Sequence, residues 1–309
     1  MKFPVIIFFD YFCLRYMELS ILIPVYNYSC FAMVEDLQKQ AAKANICYEI
    51  IVADDGSTDK LIVGENKKIS DLPNCTYIIR EKNVGRASIR NFLAKTSQYE
   101  WLLFLDCDLE VPDEFFIERY LKYYDEQVVD GGLSIVGDAD VLKGNIRYLY
   151  EFMSAPNHSV DKRSLNPYKS FRTTNFMIRR EVAIAHPFDE RFRYYGYEDV
   201  LFGKQLKKSN VKIRHIDNPM NLTDYECNEV FISKTEEAMR TLAQFREELR
   251  GYSKIITMAD TFAHTPMATV IKVWHWMFGK LERKNLTGSR PCVKLFNIYR
   301  LGYFLTITK

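Results

Sequence analysis

The sequence has no Cys-x-x-Cys pair, and its 7 cysteines lie far apart, at positions 13, 30, 47, 75, 107, 227 and 292. Their scatter excludes a clustered zinc site. Their odd number argues against a disulfide framework and points to a reducing compartment. Excess charge is missing too: the formal net charge is +2 over 309 residues, so no global basic field invites nucleic acid. The chain contains neither Gly-x-Gly-x-x-Gly nor a P-loop pattern, which disfavours a dehydrogenase and a P-loop ATPase. It has no internal repeat and no low-complexity tract. With 48% hydrophobic and 27% charged residues, disordered and fibrous classes are excluded.

Long apolar runs are also scarce. Residues 3–14 (FPVIIFFDYFCL) form the longest, and Asp10 interrupts it. A spanning helix needs about 20 such residues. Only Lys2 precedes the run and no small-residue cleavage site follows it, so it makes a poor signal peptide. Met17 stands almost directly before a clean strand pattern. Residues 1–16 therefore read equally as native chain and as an upstream extension of the reading frame. The expectation is a cytoplasmic protein that is not integral to a membrane.

What is present is alternation. Apolar runs at Leu19–Val25, Tyr48–Ala53, Thr76–Arg80 and Trp101–Leu105 predict strands, and Phe31–Lys43, Ala87–Lys95 and Pro112–Tyr124 predict helices. Continuous apolar strands between helices imply a parallel sheet covered on both faces. Ligands of such sheets bind beyond the carboxyl ends of the strands. Further on, Gly131–Val136, Asn175–Arg179 and Val211–Ile216 read as strands, and Glu198–Lys208 and Asn228–Arg250 as helices. Residues 154–170 read as a polar loop or lid, and Thr269–Glu282 and Val293–Leu305 as tail helices. The length fits one large domain, or one domain with an appendage.

Acidic residues gather where strands end. Strand two runs into Asp54-Asp55-Gly56-Ser57-Thr58-Asp59, and strand four into Asp106-Cys107-Asp108. A second Asp-x-Asp, Asp138-Ala139-Asp140, does not sit directly after an apolar run as Asp106 sits after WLLFL. Two carboxylates at a strand end repel each other unless a cation lies between them, and hard oxygen ligands suit Mg²⁺ or Mn²⁺ bridging to a diphosphate. Gly196-Tyr197-Glu198-Asp199 opens a helix, as does Asn83-Val84-Gly85-Arg86-Ala87-Ser88-Ile89-Arg90-Asn91. Taken singly, each motif has an ordinary explanation: an Asp-Gly turn, acids favoured by a helix N-terminus, a solvated basic face.

Their order is more specific. Read in sequence, IPVYN, VADDGSTD, NVGRASIRN, LFLDCDLEVPD and YYGYEDVLFG resemble the family-2 glycosyltransferases of the GT-A fold, over roughly Glu18 to Arg250. The resemblance implies a GT-A-type, Rossmann-like, mostly parallel sheet flanked by helices. A nucleotide-sugar half would span about 17–110 and an acceptor half about 111–250, with a helical appendage over 251–309. It implies an inverting transfer from a nucleotide-sugar, usually a UDP-sugar, to a hydroxyl of a glycan or lipid-linked acceptor in surface polysaccharide synthesis. By resemblance, Pro24, Tyr26, Asp54 and Asp55 would surround the base, with Asp55 on the uracil. Asp106 would face the ribose and metal, and Asp108 would bind Mn²⁺ or Mg²⁺. Arg86 or Arg90 would contact the nucleotide or phosphates. Asp199 would be the catalytic base, and Glu198 would hold an acceptor hydroxyl. The Tyr-Gly-Tyr-Glu-Asp run also looks like the acceptor motif of galactosyltransferases and N-acetylgalactosaminyltransferases. Related enzymes often carry a metal-binding His after an Asn-Pro pair. Here Met220, Asn221 and Leu222 follow Asn218-Pro219, which leaves His215 as a substitute ligand or as a buried, hydrogen-bonded histidine.

The tail differs in composition. Residues 265–309 hold eight basic side chains against the single acid Glu282, with Trp274, Trp276, Phe278, Phe296, Tyr299, Tyr303 and Phe304 among them. This fits either a helix packed on the catalytic domain or an interfacial helix on an anionic leaflet, which would place the protein peripherally at the inner face of a membrane. Two other functions compete with sugar transfer. A sugar-phosphate nucleotidylyltransferase needs a Gly-rich loop after strand one, and Ile23-Pro24-Val25-Tyr26-Asn27 has no glycine. A non-catalytic nucleotide-sugar-binding subunit would have no use for Asp55, Asp106, Asp108 and Asp199 together.

Overall fold

The computed structural model describes residues 17–308; the reading of residues 1–16 as an upstream extension lies outside the described residues. Nine strands are described: β1 (Glu18–Val25), β2 (Cys47–Asp54), β3 (Cys75–Ile79), β4 (Trp101–Leu105), β5 (Val128–Asp130), β6 (Leu133–Ile135), β7 (Asn175–Arg179), β8 (Ile213–His215) and β9 (Met220–Leu222). Seven form one sheet in the order β3-β2-β1-β4-β7-β5-β8, and β6 pairs with β9 in a small second sheet.

Alternation along the strands builds two cores. Leu19, Ile21 and Ile23 of β1 and Leu103 of β4 face a cluster with Val34 and Leu37 of the helix Phe31–Lys43. Leu22, Leu102 and Phe104 face the opposite cluster, with Ile89 and Leu93 of the helix Arg86–Thr96. A strand buried on both faces reads as one continuous apolar run, as LSILIPV and WLLFL do.

The sheet is not wholly parallel. β7 runs antiparallel to both neighbours, β4 and β5. This inserted strand extends β4 pairing to the site, because the Asp106 amide donates to the Thr174 carbonyl at 2.9 Å. The strand expected over Gly131–Val136 divides into β5 and β6 around Gly132, which has φ 89. The residues expected as a loop over 154–170 instead form short helical segments, including Val160–Leu165 and Pro167–Ser170. Arg163 pins them by donating to the carbonyls of His158, Gly131 and Ile216 and to Asp130. The helix expected from Pro112 starts only at Phe116, and that expected over Asn228–Arg250 stops at Gln244, with a separate turn Arg246–Leu249.

The tail forms the helices Lys254–Phe262, Pro266–Leu286 and Val293–Ile307. Leu301, Phe304 and Leu305 pack with Leu242 and Phe245. Phe296, Tyr299 and Leu286 pack with Ile146 and Ile232. The last helix therefore completes these two clusters.

Candidate active site

Chain order in the sheet reverses at β1, which lies between β2 and β4. A parallel sheet opens a crevice at such a point, beyond the strands' carboxyl ends. Residues just past β1, β2 and β4 (Tyr26, Asp55 and Asp106) line a cavity of ≈ 380 Å³ together with Pro24, Arg86, Arg90 and Asp108. A second cavity of ≈ 420 Å³ shares Arg86, Asp106, Asp108 and Tyr195 with the first and extends to Glu198 and Asp199. The carboxylates from distant stretches thus border one continuous cleft.

The two acids after β2 point to different tasks. Asp54 is fully buried and uses both oxygens internally: it accepts from the Ser57 amide at 2.6 Å and from the Tyr77 hydroxyl. It does not line the cleft; it ties the Asp-Gly turn to β3. Asp55 faces the cleft. Its Oδ2 accepts from the amides of Val84 and Gly85, at 3.0 and 2.9 Å. Its Oδ1 is buried with no hydrogen-bond donor, and Arg80 comes no nearer than 3.9 Å. Burial raises the Asp55 carboxyl above its usual range, against the pull of those amides and Arg80. Gly85 makes this possible: its φ is +95, and a Cβ there would lie 2.7 Å from the Arg193 carbonyl oxygen.

Arg90 sits between the two halves of the cleft. Its guanidinium is almost wholly buried, donating to Asp106 Oδ1 at 2.7 Å and Glu198 Oε1 at 3.3 Å. It thereby joins the end of β4 to the start of the helix Glu198–Lys208. Both arginines expected near the phosphates line the first cavity, but only Arg86 has its head group uncommitted to an ion pair among the described residues. It lies 4.9 Å over the Tyr195 ring. Burial opposes the Arg86 charge, and Asp106 with Tyr195 and Glu198 more than offsets that, so it is held protonated more firmly than usual.

Asp108 lies 3.6 Å from Arg147. Burial, then repulsion from Asp106, pushes its carboxyl up. Among the described residues, no group of three or more His, Cys, Asp and Glu side chains could hold a metal ion alone. Two repelling carboxylates facing an open cavity fit instead a divalent ion whose shell is completed by phosphate oxygens and water. The other Asp-x-Asp does nothing of the kind: Asp138 caps a short helix, accepting from the amides of Asp140 and Val141.

The base expected at Asp199 is aimed by an unusual backbone. Gly196 and Tyr197 both have positive φ, +97 and 69. For a tyrosine this is a strained conformation of the kind that collects at functional sites. The turn opens the helix Glu198–Lys208 at the cleft, with Asp199 Oδ1 accepting from the Val200 amide at 2.7 Å. Burial, then adjacent Glu198, pushes the Asp199 carboxyl up to about 6, against the effects of the Val200 amide, Arg172 and Arg90. A carboxylate poised near neutrality suits general-base work.

His215 lies elsewhere. It is buried on β8, with Nδ1 2.9 Å from Arg163 Nη1 and Nε2 3.0 Å from the Pro167 carbonyl. Arg163 can only donate, so Nδ1 accepts and Nε2 carries the proton. Burial lowers its pKa to about 4. Both ring nitrogens are occupied and neither cavity includes it; the metal-ligand reading of His215 is corrected to a structural one.

The family model described as Glycosyl transferase family 2 matches residues 20–186, just over half of the chain. The chain belongs to glycosyl transferase family 2. A chondroitin synthase of Pasteurella multocida (strain Pm70) is 26% identical to this family-2 chain over 238 residues, covering 65% of the chain and 24% of the relative. The chain thus spans about a quarter of that relative's length. Among solved structures, S. aureus TarS in complex with UDP superposes with a TM-score of 0.50 at 17% identity, over 94% of this chain and 89% of that one. The mannosyltransferase PcManGT from Pyrobaculum calidifontis, in complex with GDP-Man and Mn²⁺, does so with a TM-score of 0.52 at 12% identity, over 94% and 86%. At such identities these likenesses establish the fold, which is GT-A.

Several residues of the family-2 cleft carry no local signal in the sequence. Arg147, Arg172, Tyr150 and Arg300 line the second cavity with Asp199. They come from three separate segments, and no spacing rule links them.

Proposed function

We propose that this protein transfers a sugar from a nucleotide-sugar, a UDP-sugar, to a hydroxyl of a glycan or lipid-linked acceptor, with inversion at the anomeric carbon, in surface polysaccharide synthesis. The observation that carries this is the pairing of a donor-side carboxylate lacking a partner, Asp55 Oδ1, with a carboxylate raised to about 6, Asp199, around one cleft. Family membership, the UDP complex of TarS and the likeness to a chondroitin synthase support it.

In this reading Asp55 Oδ1 accepts from the base, beside Pro24 and Tyr26. Asp106 and Asp108 would hold Mn²⁺ or Mg²⁺, which would supply positive charge against the diphosphate. Arg86 contributes a second fixed cation where negative charge grows on the leaving group. Asp199 takes the proton of the acceptor hydroxyl as it attacks, with Glu198, steadied by Arg90, placing that hydroxyl. A single displacement from the opposite face inverts the sugar and needs no carboxylate nucleophile.

The tail contributes a surface. No helix among the described residues is long and apolar enough to cross a membrane. On the helix Pro266–Leu286, however, Val270, Trp276, Met277 and Leu281 are 58, 80, 57 and 62% exposed. Exposed Lys280 and Lys284 fall by helical spacing within the same face, between Trp276 and Met277. We assign it to peripheral contact with an anionic leaflet, where a lipid-linked acceptor is presented.

The decisive experiment is a thermal-shift panel of UDP-, GDP- and ADP-sugars with and without Mn²⁺. A ligand at 100 times its Kd adds about 2.7 kcal/mol of apparent stability. UDP-sugars should raise Tm, more so with Mn²⁺. No shift with any nucleotide-sugar removes the proposal.

A further inference from the structure

We propose that the acceptor side of the cleft contains a subsite for an anionic group, carboxylate or phosphate, built around Arg300 of the last helix. The inference rests on the sugar-transfer reading and names the acceptor class: an acidic glycan rather than a neutral one.

Arg300 lines the cavity that holds Asp199, yet its chain position is far from every motif. Its guanidinium lies 4.8 Å over the Tyr150 ring and 4.6 Å over the Phe296 ring. It donates to the Tyr150 hydroxyl at 3.3 Å and to Asn297 Oδ1 at 2.6 Å. Its Nε is buried with no acceptor. A guanidinium has five N–H donors, so most of its capacity is unused. The neighbouring cations differ. Arg172 pairs with Glu151 at 3.4 Å, and Arg147 with Asp108 and Glu226, both at 3.6 Å. Among the described residues, Arg300 has no carboxylate partner. A half-buried cation without a counter-ion is costly unless a ligand supplies one. The fork geometry of arginine suits a carboxylate or phosphate oxygen pair. The Tyr150 and Phe296 rings lie under the guanidinium and fix its position, and Asp199 stands in the same cavity to receive the hydroxyl proton.

The test is titration calorimetry of the full chain at low salt with UDP present. The probes are a tetrasaccharide of alternating uronic acid and N-acetylhexosamine, its carboxyl-reduced neutral counterpart, and a polyol-phosphate oligomer. At least one acidic probe should bind about tenfold or more tightly than the neutral one, and which one does so separates carboxylate from phosphate. Arg300→Gln should erase that preference, and Arg300→Lys should keep part of it. The lysine variant retains the charge and guards against a folding artefact, checked by unchanged melting. Equal binding of all probes, binding by neither acidic probe, or an intact preference in a folded Arg300→Gln protein overturns the inference. A parallel titration with UDP alone keeps the two readings distinct, since failure there removes sugar transfer and leaves the anion preference to be judged separately.

Discussion

Replacing Asp199 by Asn should make the protein more stable and nearly inactive at once. The folded protein holds this carboxyl at about 6, against a usual 3.8. The folded pKa lies above the unfolded one. The associated stability is therefore complete below pH 3.8 and is lost as pH rises through about 6. By pH 7.5 the ionised group costs the folded state about 3 kcal/mol. Asn carries no charge and keeps an Oδ1 to accept from the Val200 amide, so it escapes the cost without losing the bond. Differential scanning calorimetry should show a Tm several degrees above wild type at pH 7.5, the gap closing toward pH 4. Turnover, measured as UDP release with acceptor present, should fall by about 10²–10⁴-fold, equivalent to about 3–5 kcal/mol of barrier. UDP binding should hardly change, because Asp55 and its amides lie in the other half of the cleft. In the wild type, kcat/KM should rise with pH and level off above about 6 as the base ionises. Near-wild-type turnover in Asp199→Asn would refute the base assignment, and a lowered Tm at pH 7.5 would refute the energetic argument.

Three other outcomes follow from the same geometry. Asp55→Asn should weaken UDP binding by about 10–100-fold, because one amide face cannot accept from Val84 and Gly85 while the other accepts from a base; unchanged affinity by calorimetry would take the base away from Asp55. Arg90→Gln should cost about 3–5 kcal/mol in urea unfolding, since it leaves buried Glu198 and half-buried Asp106 without their shared cation; a loss under about 1 kcal/mol would show that the clamp is not structural. Trp276→Glu with Leu281→Glu should abolish sedimentation with phosphatidylserine vesicles and leave Tm within a degree or so, since surface changes are near neutral; equal sedimentation would remove the membrane contact.

Strand directions show where sequence reasoning stops. LSILIPV, YEIIVA and WLLFL announce buried strands because continuous apolar runs need cover on both faces. NFMIR is read as a strand on the same grounds, yet nothing in five residues says that β7 runs antiparallel between β4 and β5. Direction comes from the connections, and here these include the short helices within 154–170, a stretch that reads as polar loop in the sequence. Their polarity was misleading because a buried arginine, Arg163, satisfies carbonyls from three segments.

The site divides the same way. Its acids were legible because a carboxylate just past a strand's end has nowhere to go but the crevice, and the order of the motifs named the family. Local sequence places Asp54 and Asp55 together at the end of strand two. Resemblance puts Asp55 on the uracil, but the spacing alone does not part it from Asp54, since adjacent residues on a strand end face opposite ways and packing against Tyr77 or the Gly85 turn decides which one faces the cleft. Nor could it assign Arg90 to a clamp rather than to phosphate, exclude His215 from the metal, or bring Arg300 beside Asp199. Those depend on side chains meeting across 48 to 150 residues of chain, a proximity set by how helices close over the sheet and not by any spacing along it.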